Sequence, residues 1–200
     1  MDGDSMKIIG LTGGVGSGKS TVGKIMQENF SLKLVMTDAL GHLAMKVGTE
    51  SYKKILSEFQ ADILQENGEI DRKKLGEIVF KDENKLDKLN QIIHPWVIEY
   101  LKKDIEEEKK RKQYQYYVME SAILFQSHLD CLCQEKWYVD AKEEIRRQRL
   151  KDSRGYSDEK IDNIFKTQEE NEQYKLQCEV EISTNNGEQS ILPQLEQFLV

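Results

Sequence analysis

The sequence predicts an α/β fold in which a five-stranded parallel sheet is flanked by helices. Three observations predict it. Short apolar runs alternate with helical patterns along the chain, the first run leads through a glycine-rich loop into a helix, and most of the runs end at a polar residue. Sheets of this kind present their ligands at the carboxyl ends of the strands.

Each element follows in order. "MKIIGLT" is the first strand, and "STVGKIMQENF" carries Val22, Ile25 and Met26 at the spacing of one helix face. "LKLVMT" is the second strand, ending near Thr37 and running into "DALGHLA". From Tyr52 to about Glu108 the pattern is helical, broken by the turn-like "QENGEIDR" and by His94-Pro95, which reads as a helix start. "YQYYVMES" is the third strand, ending in the acid Glu120, and "KWYVDA" is the fourth, ending at Asp140. After a charged helical region comes "CEVEIST" as the fifth strand, then "NNG" and a last helix with Ile191, Leu192, Leu195 and Leu199. Glu106, Glu107 and Glu108 each precede a base by four residues, at Lys110, Arg111 and Lys112, so "IEEEKKRK" reads as a solvated helix face with i,i+4 pairs.

Composition narrows the function classes. The chain has 200 residues, 38% hydrophobic and 32% charged, which fits one globular domain of ordinary size rather than a disordered or fibrous chain. A net charge of −7 argues against a broad nucleic-acid surface while leaving room for a local basic pocket that holds a small polyphosphate. There is no apolar run of membrane-spanning length and no basic-then-apolar leader, so a cytoplasmic protein without a membrane partner is expected. The residues before Met6 carry no apolar pattern and read as a flexible extension at 1–5. Cys131, Cys133 and Cys178 are an odd count without CxxC or zinc spacing, and read as reduced structural thiols.

The chemistry is concentrated in "GLTGGVGSGKST". Gly13-x-x-x-x-Gly18-Lys19-Ser20 matches the phosphate-binding loop, in which Gly13, Gly14, Val15, Gly16, Ser17, Gly18, Lys19, Ser20 and Thr21 surround the phosphates of a nucleotide. The glycines permit the turn and the close approach of backbone N–H groups, Lys19 supplies a point charge, Ser20 suits Mg²⁺, and the helix that follows adds its positive end. Glu120, ending a neighbouring strand, is the second candidate to help hold Mg²⁺. "DALG" and "NKLD" imitate the motifs of a GTPase, but "FKDENKLDKLNQIIHP" has helical spacing where a guanine-reading segment needs a buried strand. Asp38, at the end of the strand after the first helix, instead suits a small kinase in which an acid meets an acceptor hydroxyl.

The loop "GLTGGVGSGKST", then "DALGHLA", "GEIDRKKLGEIVF", "LNQIIHPWV", "ILFQ", "YVDA" and "NNG" follow one another in the order found in dephospho-CoA kinases, and the chain resembles that family over nearly its whole length from Met6. The resemblance implies a P-loop kinase core with a helical substrate-binding insertion and a helical lid. It places the core at 6–50, 113–141 and 176–200, the CoA-binding insertion at about 51–112 and the lid at about 142–175, all within a single domain from 6 to 200. It implies phosphorylation of the ribose 3′-hydroxyl of dephospho-CoA by ATP with Mg²⁺, with small molecules as the only substrates and a monomeric or weakly associating enzyme. Asp38 matches the family's base, and Arg149 its lid arginine, which would approach the transferring phosphoryl; Arg146, Arg147 and Arg154 are the alternatives. Each of these arginines also has a plain reading as a solvent-facing partner of Glu143, Glu144 or Asp152.

Asp38, His42, Arg72 and His94 are the expected acceptor-side residues. Asp71 reads as the cap of the helix it precedes, His94 has an alternative as a cap or packing residue at a helix start, and His42 as an ordinary histidine. The sequence departs from the resemblance at Met36, where an acid is frequent, at Gln126, where a glutamate is common, and in one extra residue before "NNG". Another small-molecule P-loop kinase, or a nucleotide-binding protein without turnover, remain the competing readings.

Overall fold

The computed structural model describes residues 6–166 and 171–200. The extension expected at residues 1–5, and residues 167–170 of the expected lid, lie outside the described residues. The chain forms two compact units: one ends at Val35 and resumes at Glu108, and the other is Met36–Glu107.

The first unit is built on β1 (Lys7–Thr12), which leads through the glycine loop into α1 (Lys19–Asn29) and on to β2 (Leu32–Met36). The chain returns as β3 (Tyr116–Glu120) and β4 (Glu135–Asp140) and finishes with β5 (Val180–Ser183), giving one sheet in the order β2-β3-β1-β4-β5. β1 lies in the middle, parallel to β3 on one side and β4 on the other, so its residues from Ile8 onward are all buried. Its register sets Leu11 beside Glu120 and Thr12 beside Tyr138, which brings the ends of three strands to the mouth of the loop. Ile9, Leu11, Met26, Val118, Trp137 and Leu195 belong to one core beneath them. A Cβ on Gly23 of α1 would already lie 3.1 Å from a methyl of Leu34, so the glycine lets the helix sit close against β2. The expected last helix is mostly a 3₁₀ turn at Glu188–Ser190 and a short helix at Leu192–Leu195, with Ile191, Leu195 and Leu199 buried.

The second unit contains α2 (Thr37–Ala44), α3 (Glu50–Phe59), α4 (Arg72–Val79) and most of α5 (Glu83–Arg111), around a core that includes Ile55, Ile63, Leu75 and Leu89. Asp71 Oδ1 accepts from the backbone N–H of Lys73 and Lys74, the capping role its position predicts. Returning to the first unit, α6 (Glu143–Arg154) and α7 (Asp158–Lys166) are joined by Arg147, which reaches Glu143 at 3.1 Å, Asp158 at 3.2 Å and Asp162 at 2.7 Å; a short α8 (Asn171–Lys175) follows.

Two expectations are corrected. Pro95 does not start a helix; it lies inside α5, whose true start is capped by Asp82 accepting from the N–H of Asn84 and Lys85. A proline in a helix interior costs about 3 kcal/mol. Here Ile92 and Ile93 before it and buried Val97 and Leu101 after it carry one apolar stripe straight through, and their burial outweighs that cost. Glu108 is not on a solvated face either: its side chain is 3% exposed and receives Lys33 Nζ at 3.0 Å and Arg111 Nη1 at 2.8 Å. Leu101, Ile105 and Glu108 fall on one buried stripe at helical spacing, so Glu108 turns inward while Glu106 and Glu107 face solvent.

Candidate active site

The loop's conformation is set by its glycines. Gly13 has φ +149°, and a Cβ there would sit 2.4 Å from the carbonyl oxygen of Val139 on β4. Gly18 has φ +94° and occupies the N-cap of α1 without a side-chain cap, leaving the first N–H groups of that helix for a ligand. Lys19 arches back over the loop, its Nζ donating to Gly13 O at 2.9 Å and Gly14 O at 3.1 Å. Ser20 Oγ donates to Glu120 Oε1 at 2.7 Å.

That last pair is the place to test for a divalent cation. A hydroxyl and a buried carboxylate are hard oxygen donors, the chemistry Mg²⁺ prefers. No cluster of three or more His, Cys, Asp or Glu able to hold a metal occurs among the described residues. Mg²⁺ does not require one, because it usually keeps several waters and takes phosphate oxygens alongside one or two protein groups. Ser20 and Glu120 therefore fit the ion that the sequence implies.

The arginines of α6 divide in two. Arg149 is committed to the carbonyl side of the loop and to the end of β5: Nη1 donates to Gly16 O at 3.3 Å, Ser17 O at 3.1 Å and Thr184 Oγ1 at 2.9 Å, and Nη2 to Thr184 O at 2.9 Å. Thr184 Oγ1 in turn donates to Ser17 O at 2.7 Å. The solvent-facing reading of Arg149 does not describe this arrangement; here the residue braces the loop. Arg149, Thr184, Gly18, Thr21 and Gly187 border a groove of about 100 Å³.

Arg146 lies on the other side. Its Nε donates to Val15 O at 2.9 Å, its guanidinium stacks 4.4 Å from the ring centre of Phe165 on α7, and its Cζ is 2.6 Å from where a Cβ on Gly14 would be. Burial lowers the Arg146 pKa, opposed by the nearby charges of Tyr138, Glu143 and Asp140. It lines a cavity of about 800 Å³ with Gly14, Ser17, Tyr138, Asp140 and Lys175. Arg147 is the ion-pairing residue, and Arg154 lies over the Tyr156 ring.

In the Met36–Glu107 unit, Asp38 is exposed in the first turn of α2, and His42 is exposed one turn later. His42 and Arg72 are brought together in a groove of about 410 Å³ shared with Lys46 and Lys73. His94 does not line that groove; it is half-buried in the interior of α5. Sequence reasoning missed Thr184. Its only sequence signal is a hydroxyl at the end of the fifth strand, which has meaning only once β5 is known to end near the loop.

The family model described as dephospho-CoA kinase matches residues 7–190. The dephospho-CoA kinase of Fusobacterium nucleatum is 36% identical over 195 residues, 97% of each chain, and that of Bacillus cereus is 34% identical over 180 residues, 90% of this chain and 88% of its own. Among solved structures, the dephospho-CoA kinase from Campylobacter jejuni aligns with a TM-score of 0.70 at 21% identity, covering 96% of both chains. A shikimate kinase from Bacteroides thetaiotaomicron gives 0.51 at 14% identity, again covering 96% of both. At these identities the two structures speak for the shared fold.

Proposed function

The chain belongs to the dephospho-CoA kinase family, and we infer that it transfers the γ-phosphoryl group of ATP to the ribose 3′-hydroxyl of dephospho-CoA, giving coenzyme A and ADP. It is a phosphotransferase with an alcohol as acceptor. The observation that carries the reading is the loop itself: Lys19, Ser20 and Glu120 converge on a glycine turn whose N–H groups are left for phosphates.

The roles follow from the chemistry. The bond from Pγ to the bridging oxygen of ATP breaks as a bond from Pγ to the ribose oxygen forms, and the hydroxyl proton passes to Asp38. A carboxylate is sufficient, because the loose transition state needs orientation and late proton removal more than a strong base. The backbone of Gly13 to Thr21 holds the phosphates, and Lys19 offsets charge on the β- and γ-oxygens. Ser20 and Glu120 would hold Mg²⁺, which when bound offsets the charge of the phosphate oxygens. Arg149 and Thr184 keep the carbonyl side of the loop fixed, so that the N–H side is preorganised.

The groove of His42, Lys46, Arg72 and Lys73 supports an acceptor-side role for His42 and Arg72, since dephospho-CoA is itself a diphosphate ester. His94, inside α5, is retained as an acceptor-side residue acting from that helix. No helix among the described residues is long and apolar enough to cross a membrane. A cytoplasmic monomer acting on small molecules, without nucleic acid, completes the reading.

Incubation of the purified protein with Mg-ATP and dephospho-CoA, followed by mass spectrometry, tests it. Coenzyme A and ADP should appear together in equal amounts. ATP bound but not consumed, or a phosphoryl group found on another acceptor only, would sink the assignment.

A further inference from the structure

We propose that Asn185 is a positioning residue for nucleotide binding: its side-chain carbonyl pins the start of α6 to the end of β5 and so seats that helix on the phosphate-binding loop. The consequence for catalysis rests on the phosphoryl-transfer reading above, whereas the pin itself does not.

Backbone pairing between β4 and β5 ends with Asp140 beside Ser183. Beyond that point the chain is attached largely through side chains, one residue at a time. Ser183 is held by the short helix Leu192–Leu195: its N–H donates to Gln194 Oε1 at 2.9 Å and its carbonyl accepts from Gln194 Nε2 at 2.9 Å. Thr184 N–H donates to Asp140 O at 3.0 Å, its hydroxyl donates to Ser17 O, and its hydroxyl and carbonyl oxygens both receive Arg149. Asn185 is the third. Its Oδ1 accepts the backbone N–H of Lys142 at 2.7 Å, and its Nδ2 donates to Ser183 Oγ at 2.9 Å. The second bond orients the amide, because with the donor end on a hydroxyl the oxygen is turned toward Lys142.

Lys142 is the N-cap residue of α6, and the helix has no side-chain cap hydrogen bond there. An uncapped start is where a helix frays first, unless something outside the helix holds it. Asn185 supplies that hold. Lys142 and Arg149 are seven residues apart in a helix of 3.6 residues per turn, so they lie on one side of α6, about 10 Å apart along it. The helix is thus fastened to the end of β5 at two points, by Asn185 at its start and by Thr184 at Arg149. One attachment lets a helix swing; two fix its axis.

The axis matters because α6 lies directly on the loop. A Cβ on Gly16 would be 3.0 Å from Arg146 O and 3.2 Å from Leu150 Cγ. Arg146 Nε reaches Val15 O, and Arg149 Nη1 reaches Gly16 O and Ser17 O. With clearances this small, a shift at the start of α6 moves Arg146 and Leu150 off Gly16 and loosens the backbone that receives the phosphates.

Hydrogen exchange and nucleotide titration test the pin from both sides of the bond, in wild type, Asn185→Ala, Asn185→Asp, Lys142→Pro and Lys142→Ala. Asn185→Ala removes the acceptor, and Asn185→Asp keeps an oxygen in its place. Lys142→Pro removes the N–H at a φ of −55° that proline adopts, while Lys142→Ala controls for the lost side chain. In Asn185→Ala and Lys142→Pro, amide exchange from Arg146 to Leu150 should rise roughly three- to tenfold, the worth of one hydrogen bond, with β1 and β3 unchanged. The Kd for Mg-ATP should rise by a similar factor, and KM for dephospho-CoA should stay within about twofold. Asn185→Asp and Lys142→Ala should stay near wild type in exchange. The double variant Asn185→Ala/Lys142→Pro should be no worse than either single change, since both delete the same bond. If Lys142→Pro fails to fold, the two Asn185 variants carry the test. Additive losses in the double variant, Asn185→Asp as impaired as Asn185→Ala, exchange rising equally in β1 and β3, or faster exchange in α6 with an unchanged Kd for Mg-ATP would each overturn the assignment. A wild type that makes no coenzyme A would count against the reaction, while exchange and ATP affinity still decide the role of Asn185.

Discussion

Ser20 Oγ and Glu120 Oε1 lie 2.7 Å apart across 100 residues of sequence, joining the first turn of α1 to the end of β3. The contact exists because β1 and β3 are parallel neighbours in register, Leu11 beside Glu120. Both groups are oxygen donors suited to the same hard ion. Ser20→Ala and Glu120→Gln should each raise the Mg²⁺ concentration needed for half-maximal rate by roughly 10- to 100-fold, the scale on which groups supporting a metal act. Rate measured against Mg²⁺ concentration checks this. A parallel fall in rate at every concentration, with the midpoint unmoved, would remove the pair from the metal's surroundings.

Asp38 and Lys19 are expected to separate in kinetics. Asp38→Asn keeps size and hydrogen bonding but cannot take the proton, so kcat should fall by about 10²–10⁴ while ATP affinity stays near that of the wild type. Lys19→Ala should lose both ATP affinity and turnover, because the cation acts on the nucleotide directly. Steady-state rates and equilibrium ATP binding together decide it: equal loss of ATP binding in the two variants would contradict a base at Asp38.

Gly13 is fixed by packing as well as by backbone conformation. With φ +149° and a prospective Cβ only 2.4 Å from Val139 O, Gly13→Ala must move β4 or the loop. Backbone strain alone costs about 1–3 kcal/mol. A fall in Tm of roughly 4 °C or more is expected for a chain of this size. Thermal melting checks it, and a Tm equal to that of the wild type would show that the loop has room the structure denies.

The loop, the strands and their parallel arrangement could be read directly from sequence, because strand, glycine turn and helix are local patterns with short periods. Asp71 was legible for the same reason: an N-cap is decided within four residues. What escaped were effects of distant neighbours. Pro95 carries a strong local breaker signal, yet the apolar stripe of Ile92, Ile93, Val97 and Leu101 overrides it. Glu108 looked like one of three equivalent acids until Lys33 of β2 approached its inward face. The arginines near 149 share one helix and one composition, and the contacts of Arg149 with Thr184 and of Arg146 with Val15 distinguish them only in three dimensions. The described residues thus divide the arginines of α6 in a way that no motif could.

The three cysteines should respond differently to pH and to alkylation. Burial pushes the Cys133 thiol up from 9.0 to about 12, and the Cys178 thiol to about 11, whereas Cys131 is exposed. Cys133 Sγ donates to Leu129 O at 3.4 Å and lies against the backbone of β1, so close that a Cβ on Gly10 would be 2.6 Å from it. The thiolate is the reactive form, so iodoacetamide at pH 8 should label Cys131 first, and Cys133 only as the fold opens. The sign of the stability effect follows from the direction of the shift. The folded state holds Cys133 protonated beyond the pH at which the unfolded chain releases the proton, so this contribution is complete below about pH 9 and is lost as pH rises from there toward 12. Denaturant unfolding at a series of pH values should show stability declining above about pH 9, with a shallower decline in Cys133→Ala. Identical slopes in the two proteins, or labelling of Cys133 as fast as Cys131 in the folded state, would mean that the half-buried thiol is not shielded from solvent as its packing against β1 implies.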